Sequence, residues 1–356
     1  MKNKARQSCL VQIVLGLIKS RKVQFHAIAQ AIKTEGEKLQ VKSIIHRLED
    51  FFREVSFDYD AIALLLLLCL GNKGKVRFCI DRTEWNFGSF QINILMIIAC
   101  KGSKVVPLYW ELLDNKSGNS NGQDRIDLVE KLLKIIDKER IGIIIGDREF
   151  IGHRWIKYLK DNKINFCFRV PKHHYVEHFD GERYKIEERA ASTALCIREC
   201  LVDGVWVNAY IKKIERDDYL FLISNIEKVE CLDQIYRRRW TIETVFQSFK
   251  SRGFNIEQTH IRDLNRVKKL IGLVSISFAF CIIAGIIHHQ KTQKIKVKKH
   301  GYKATSFFRL GLDLLTDWLR ESVEGFQEKT ERFLLYLLFL KRSYDHFRAK
   351  RLIINT

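Results

Sequence analysis

Apolar and polar positions along this chain repeat with two different periods, and the period changes near residue 75. Residues 25–32 and 41–52 carry apolar side chains three and four positions apart, which predicts two amphipathic helices. A polar break at 34–38 separates them. Two helices joined by a short turn are typical of a DNA-reading module, and a plain helical bundle fits the same pattern equally well. We therefore expect a helical amino-terminal region over residues 1–70, with DNA binding as one of its two interpretations.

Beyond residue 75 the pattern becomes that of a sheet with helices packed on it. Three consecutive strands are predicted first, and strands then alternate with helices: strands at 76–81, 91–100, 104–111, 141–146 and 164–170, and helices at 124–137 and 152–160. Three strands followed by alternating helices and strands is the layout of a ribonuclease H-like α/β fold. We expect this core to occupy residues 71–290, interrupted by a β-strand insertion at 171–225 and followed by a basic helical region at 291–356.

One apolar stretch is long enough to raise the question of a membrane. Residues 270–287 carry no charge over about eighteen positions, which is the lower limit for a spanning helix. The stretch contains two serines and two glycines and follows directly on a basic, polar segment. We expect a helix buried in a large core and no association with a membrane.

The charge balance points to a polyanionic partner. Lysine and arginine number 62 against 42 acidic residues, a net charge of +20. Each phosphate that such a protein neutralises releases counterions, so the charge supplies affinity for nucleic acid, although a basic protein of another kind would show the same balance. The nine cysteines are scattered, and Cys196 and Cys200 have no second pair with zinc-ligand spacing. We expect reduced thiols in a cytoplasmic protein and no structural zinc.

One segment, YRRRWTIETVFQSFK, places charged and apolar side chains on separate faces of a single predicted helix. At about 100° per residue its polar stripe spans an arc of roughly 60° and contains Tyr236, Arg239, Glu243 and Lys250. Isoleucine, valine and phenylalanine side chains occupy the neighbouring arc and would be buried. A carboxylate flanked by an aromatic ring and two cations suits a metal ion held against a phosphodiester. An amphipathic helix with a solvated charged face explains the same segment equally well.

Two aspartates stand where such a metal site needs further ligands. An apolar-leaning strand pattern ends in Asp81, and the buried-strand pattern IGIIIG ends in Asp147. Carboxylates at the carboxyl ends of adjacent parallel strands project into one crevice. A strand-end aspartate taken alone more often caps a helix or a turn. Together with Glu243, the two aspartates form a candidate set of three catalytic metal ligands.

These motifs resemble those of the DDE transposases of the bacterial insertion-sequence-four family. The third acid of that family lies in a tyrosine, arginine, glutamate, lysine signature, whose spacing residues 236–250 reproduce. The segments CIDRTEW, with Asp81, and GDREF, with Asp147, resemble the first-acid and second-acid motifs. The resemblance covers roughly residues 75–285, and a β-strand insertion before the third acid also fits. Arg82 departs from it, because many relatives have a second acid or a small residue directly after the first acid.

The resemblance implies a cut-and-paste transposase that cleaves transposon ends and joins them to target DNA. Asp81, Asp147 and Glu243 would bind two Mg²⁺ ions, with Mn²⁺ as a substitute, for in-line phosphoryl transfer. Arg239 and Lys250 would bind phosphates beside the scissile bond. The partners would be double-stranded DNA, as terminal inverted repeats and as target, in a complex that contains a protein dimer. The expected location is the bacterial cytoplasm, at the nucleoid.

Three further residues are expected to contact DNA. Tyr236 would hydrogen-bond a phosphate or stack on a sugar, and Arg148, next to the second acid, would add a cation. Trp206 in the insertion, with Tyr210 as the second candidate, would stack on a base flipped out beside the cleavage site. The alternative interpretation of Trp206 is a core aromatic residue of a small sheet.

Two other classes of function share part of this pattern. A ribonuclease H-like nuclease or resolvase would use the same three acids without joining DNA. A non-enzymatic DNA-binding regulator would use the basic charge and the amino-terminal helices and leave the acids idle. Joined DNA products would separate a transposase from a nuclease, and an unchanged activity after Glu243→Ala would identify a regulator.

Overall fold

A computed structural model describes residues 3–33, 40–71, 73–87, 90–113, 118–215, 218–299 and 301–321, together with residues 328 and 331. Helices occupy the amino-terminal part of the chain: α1 (Lys4–Ser20), α2 (Phe25–Ile32), α3 (Val41–Glu54) and α4 (Tyr59–Leu70). The two predicted amphipathic helices are present as α2 and α3. The predicted polar break between them lies outside the described residues, as does most of the predicted helical sequence after residue 321.

The rest of the described chain forms strands and further helices: β1 (Val76–Phe87), β2 (Phe90–Lys101), β3 (Lys104–Leu113), α5 (Gly122–Ile135), β4 (Ile141–Gly146), α6 (His153–Asp161), β5 (Phe166–Arg169), β6 (Tyr175–Glu177), β7 (Arg183–Lys185), β8 (Leu195–Val202), β9 (Val205–Glu215), β10 (Asp218–Ser224), α7 (Leu232–Tyr236), α8 (Trp240–Phe249), α9 (Leu264–Lys291) and α10 (Phe307–Glu321). The strands form one sheet in the order β3-β2-β1-β4-β5-β10-β9-β8-β6-β7. The α/β fold class predicted from the sequence is confirmed.

Five strands form the part of this sheet that carries the candidate acids. β2 pairs antiparallel with both β1 and β3, while β4 is parallel to β1 and β5 is parallel to β4. Helices α5 and α6 connect β3 to β4 and β4 to β5. The order β3-β2-β1-β4-β5 is the ribonuclease H-like layout that the strand and helix pattern predicts.

Strand β1 continues past the point where the sequence pattern ends it. The prediction ends this strand at Asp81, whereas β1 runs on to Phe87 because residues 82–87 pair one by one with β2. Asp81 therefore lies in the middle of β1, opposite Met96, and not at the end of a strand. The antiparallel partner supplies hydrogen bonds to this polar half of the strand, which its own composition does not favour.

The register between β1 and β4 brings two acids to the same level of the sheet. Cys79 of β1 is level with Ile145 of the parallel strand β4. Two residues further along each strand are Asp81 and Asp147. The two aspartates therefore lie on neighbouring strand paths, as the sequence predicts, although only Asp147 follows a strand end.

Residues 171–225 lengthen the same sheet. β10 pairs antiparallel with β5, and β9, β8, β6 and β7 follow outward in antiparallel pairs. The predicted β-strand insertion is therefore present, and it continues the core sheet because β10 covers the edge of β5. Part of the turn predicted at 216–218 lies outside the described residues.

The uncharged stretch at 270–287 forms most of α9, which packs against β3, α1, α4 and α10. Among the described residues, α9 alone is long and apolar enough to cross a membrane, yet 83% of its most apolar window is buried inside the protein. Burial on all sides explains why this helix lacks a polar face. The predicted core helix is confirmed.

Two glycines let α9 and α10 cross at very short distance. A Cβ atom added to Gly311 would lie 1.7 Å from the carbonyl oxygen of Cys281, and one added to Gly285 would lie 2.0 Å from that of Phe307. The obstructing atoms belong to the backbone, so a rotamer change cannot make room. Any side chain at either position must push the two helices apart.

We expect Gly311→Ala to lower the free energy of unfolding by about 3 kcal/mol, the upper part of the range for overpacked cores. Gly122→Ala is the matched control, because a Cβ there meets only the Cβ of Arg154, at 3.9 Å. Alanine at that helical position should stabilise by at most about 1 kcal/mol. Denaturant unfolding of both variants measures the difference, and equal stabilities would contradict the close crossing.

Candidate active site

Three acidic side chains from separate elements form one cluster. Asp81 lies on β1, Asp147 directly follows β4, and Glu243 lies in the first turn of α8. Asp81 and Glu243 both accept hydrogen bonds from Arg239, and the register of β1 and β4 brings Asp147 level with Asp81. The structure therefore brings together the three acids that the sequence singles out.

Arg239 lies between two of these acids, and Tyr236 contacts the third. Arg239 Nη1 is 2.7 Å from Asp81 Oδ2, and both Nη1 and Nη2 are 3.2 Å from Glu243 Oε1. The side chains of Arg239 and Asp81 are each 13% exposed, so water screens this ion pair only weakly. Tyr236 donates its hydroxyl to Asp147 Oδ1 at 3.0 Å. The tyrosine and the arginine of the motif thus contact all three acids.

The helical segment that carries these groups contains a 3₁₀ turn between two α-helices. α7 ends at Tyr236, residues 237–239 form a 3₁₀ turn, and α8 starts at Trp240. The backbone stays in the right-handed helical region at the junctions, which preserves the predicted stripe as far as Glu243. Lys250 falls outside this stripe, because α8 ends one residue before it and its ψ is −136°.

Lys250 directly follows α8 and contacts β1 and Glu257. Its Nζ donates to the carbonyl oxygen of Glu84 at 3.0 Å and pairs with Glu257 Oε1 at 3.2 Å. Glu84 is three residues beyond Asp81 on β1. The end of the helix therefore holds Lys250 against the second half of β1, and the helical spacing that suggested its place beside the acids does not apply to this residue.

Arg82, which departs from the resemblance, has its partner in the second-acid motif. Its Nε is 3.1 Å from Glu149 Oε2, and its Nη1 is 2.6 Å from Glu84 Oε1. Its backbone N–H donates to Asp81 Oδ1 at 2.8 Å. Arg82 thus ties the strand of Asp81 to the turn that follows Asp147. The sequence analysis did not predict this pair. The signal for it was a pair of opposite charges, with Arg82 next to Asp81 and Glu149 two residues after Asp147.

The acid cluster is short of positive charge. Burial raises the pKa of Asp81 to about 7, even though Arg239 and the backbone N–H of Arg82 lower it. The charges of Glu243 and Asp147 raise this pKa further. One guanidinium therefore compensates only part of the negative charge that collects here, and the cluster favours an additional cation.

The chemistry of the donors fits a hard divalent cation. Carboxylate oxygens are the ligands that Mg²⁺ and Mn²⁺ prefer. In the part of the chain that the structure describes, no three His, Cys, Asp or Glu side chains are grouped closely enough to share an ion as they stand. The cation between Asp81 and Glu243 in this arrangement is Arg239 itself.

The insertion does not bring Trp206 to the acids. β9 is parallel to β5 across β10, and the pairing makes Asn208 level with Cys167 of β5. Trp206 lies beyond that level toward the amino ends of the parallel strands, where its carbonyl oxygen accepts from Lys160 Nζ at 2.6 Å. Asp147 lies at the opposite, carboxyl end. Trp206 therefore does not lie beside the acids of its own chain, where we expected it.

The other predicted DNA contacts of this region fall in different environments. Trp206 is 44% exposed, so its alternative interpretation as a core aromatic residue does not hold either. Tyr210, the second stacking candidate, is buried. Arg148 is exposed directly after Asp147, in a position open to a bound phosphate.

Trp240 is an exposed aromatic residue that sequence reasoning overlooked. Its side chain is 63% exposed at the start of α8, directly after Arg239 and three residues before Glu243. Residues three apart on a helix are neighbours on its surface. The signal in the sequence was the three-residue spacing between Trp240 and Glu243. Tryptophan is apolar, so the pattern alone suggests a buried side chain at this position.

The fold has a counterpart among solved structures. The chain is similar to piggyBac transposase in a synaptic complex with hairpin DNA, with a TM-score of 0.51 and 14% identity over 94% of this chain and 75% of that one. At this identity the likeness shows the fold alone. The NurA nuclease from Sulfolobus solfataricus matches with 11% identity over 67% of this chain and 94% of that one, but its TM-score of 0.23 carries no argument. No curated protein sequence matches the chain.

A family model covers the segment that builds the site. The transposase DDE domain matches residues 73–280, more than half of the 356 residues of the chain. This segment runs from β1 into α9 and includes the three acids and the side chains that contact them. The chain belongs to the family of DDE-domain transposases.

Proposed function

We propose that this protein is a cut-and-paste DNA transposase of the insertion-sequence-four type, with the family signature at residues 236–250. The observation that carries the proposal is the convergence of Asp81, Asp147 and Glu243 from two strands and a helix. Grouping partly buried carboxylates around one cation opposes folding, since desolvation and repulsion both disfavour the charged forms. A regulator that leaves the acids idle would gain nothing from such a cluster.

The substrate we propose is double-stranded DNA, first as the terminal inverted repeats of the element and then as target DNA. The net charge of +20 supports a polyanionic substrate. The similar piggyBac transposase was solved with hairpin DNA, and we propose that this chain also acts on DNA ends, as a dimer in the DNA complex. The proposed location is the bacterial cytoplasm, at the nucleoid.

We assign Asp81, Asp147 and Glu243 to the binding of two Mg²⁺ ions, with Mn²⁺ as a substitute. The three carboxylates would hold the ions, which would supply activation of a water or a 3′ hydroxyl and charge stabilisation for the departing oxygen of the scissile phosphodiester. The chain fixes the ligands on rigid elements. Arg82 and Glu149 contribute by joining β1 to the turn after β4, which sets the separation of the two aspartates.

The cations around the acids position the phosphate backbone, and a tyrosine hydroxyl positions one of the acids. Arg239 presents two N–H groups in a planar fork, which matches two phosphate oxygens. We assign Lys250, which contacts β1 three residues beyond Asp81, and the exposed Arg148, which follows Asp147, to further phosphate contacts. Tyr236 holds Asp147 through its hydroxyl, and we assign it to positioning that ligand.

Trp240 takes the stacking role that the sequence suggested for Trp206. Its exposed ring lies one turn from Glu243. A base displaced from the duplex beside the scissile phosphate would stack on this ring, which offsets the free energy lost when the base leaves the helix.

Asp81→Asn, Asp147→Asn and Glu243→Gln should each slow strand cleavage by about a hundredfold or more, because each removes a charged metal ligand worth several kcal/mol in the transition state. Duplex binding should change little, since the basic surface is intact. Glu139→Gln is the control, an exposed acid at the amino end of β4. Cleavage rates and gel-shift affinities decide the matter, and efficient cleavage by Glu243→Gln would contradict the assignment.

Mg²⁺ should stabilise the protein more above about pH 7 than below it, because the pKa of Asp81 is about 7 and a protonated carboxyl cannot bind the ion. Without metal, the contribution of Asp81 to folding stability changes with pH in the opposite direction. Folding raises this pKa from 3.8, so the stability that the neutral carboxyl contributes is complete below pH 3.8 and is lost as the pH rises to about 7. Melting temperatures with and without Mg²⁺ on both sides of pH 7 measure this, with Asp81→Asn as control. A Mg²⁺ shift independent of pH would contradict the role of Asp81.

Trp240→Ala should leave nicking intact and slow the later step that displaces a base, by roughly tenfold or more given 1 to 3 kcal/mol per stacked base. Trp206→Ala is the matched control, an exposed tryptophan at the other end of the sheet. Fluorescence of 2-aminopurine next to the scissile phosphate reports the displaced base. The same defect in both variants, or in neither, would show that Trp240 does not stack on DNA.

A further inference from the structure

The acid cluster is capped by the motif that surrounds it. Asp81 Oδ2 and Glu243 Oε1 accept from Arg239, and Asp147 Oδ1 accepts from Tyr236. The second oxygen of Asp81 accepts the backbone N–H of the next residue. Each of the three acids thus has an oxygen engaged by residues 236–239, and both oxygens of Asp81 are taken.

We propose that Arg239 is a latch that closes the metal-free acid cluster, and that its release couples metal binding to DNA binding. The inference rests on the proposed function. A guanidinium and a divalent cation cannot occupy the same carboxylate oxygens, because they repel each other at contact distance in a partly buried site. An ion bound through the oxygens of Asp81 and Glu243 that Arg239 now contacts must therefore displace Arg239.

DNA provides the alternative partner that the displaced guanidinium needs. A phosphodiester offers two oxygens and a negative charge, which match the fork of N–H groups on Arg239. DNA binding therefore draws Arg239 away from Asp81 and Glu243 and leaves their oxygens free for an ion. Because coupling between two ligands is reciprocal, metal must strengthen DNA binding by the same factor by which DNA strengthens metal binding.

Arg239 has room to change partner without a change of fold. It ends the 3₁₀ turn at residues 237–239, whose first two arginines are exposed, and the next side chain, Trp240, is exposed as well. The side chains on both sides of Arg239 are thus exposed to solvent, while the guanidinium of Arg239 points inward to Asp81. Rotation of the side chain alone would move the guanidinium toward a phosphate in the solvent.

A permanent clamp is the competing role for the same contacts. If Arg239 served only to hold Asp81 and Glu243 in place, its removal would loosen the ligands and weaken metal binding. A latch competes with the metal, so its removal strengthens metal binding. The two roles therefore predict changes of opposite sign in the same measurement.

The test is the affinity of the full-length protein for Mn²⁺, measured by calorimetry and by the electron paramagnetic resonance signal of free Mn²⁺. Without DNA, Arg239→Gln should bind Mn²⁺ at least about fivefold more tightly than the unmodified protein, the lower end of typical coupling. A short duplex of the terminal repeat should raise the Mn²⁺ affinity of the unmodified protein by a similar factor. The same duplex should change the affinity of Arg239→Gln little.

Arg237→Gln is the matched control, because it removes the same charge from the same turn. Arg237 is 75% exposed, and its closest acid is Asp233 at 3.9 Å. This variant should change the Mn²⁺ affinity by less than about twofold, since exposed charges are well screened. Arg239→Lys keeps the positive charge but lacks the planar fork of N–H groups, and it should bind Mn²⁺ with intermediate affinity. This second variant controls for a folding defect caused by glutamine at this position.

An unchanged or weaker Mn²⁺ affinity in Arg239→Gln would overturn the latch, as would a DNA effect on Mn²⁺ binding that persists in this variant. An equal gain of affinity in Arg237→Gln would overturn it too, because the effect would then be one of net charge. The proposed function fails in a different way. Glu243→Gln would then bind Mn²⁺ as tightly as the unmodified protein, whatever Arg239 does.

Discussion

The ion pair between Arg239 and Asp81 joins the helical motif to strand β1 of the sheet, and the geometry of the site depends on it. Its two charged atoms are 2.7 Å apart, and both side chains are largely buried. Buried ion pairs contribute little net stability, because the desolvation of both charges offsets their attraction. The pair is therefore better explained by what it positions. It sets α8 over β1, so that Glu243 faces Asp81.

The rest of the fold supports this contact from two directions. From the sheet, the register between β1 and β4 brings Asp147 level with Asp81, and the Arg82–Glu149 pair fixes the turn that follows. From the opposite side, Phe278 of α9 packs on Phe249 of α8 at a ring distance of 5.9 Å. The helix that resembles a membrane span in the sequence thus supports α8, the helix that carries Glu243.

Local patterns in the sequence predicted the elements and the acids, and long-range pairing determined what they missed. Helical periodicity alone places Tyr236, Arg239 and Glu243 on one face, so their spacing in the sequence was enough to predict it. The length of β1 depends on a partner strand, so the pattern ended it too early. The end of the sheet at which Trp206 lies depends on the register of four strands, which no local periodicity encodes. The partner of Arg82 is 67 residues away in the chain.

We propose that the three acids form one metal-dependent centre for DNA cleavage, with Arg239 exchanged between acids and phosphate. The most direct measurement is a crystal structure of the full chain with a terminal-repeat duplex and Mn²⁺, in which anomalous scattering locates the metal. We expect Mn²⁺ between Asp81, Asp147 and Glu243, with the guanidinium of Arg239 on a DNA phosphate. Mn²⁺ bound elsewhere, with Arg239 still paired to Asp81 and Glu243, would contradict it.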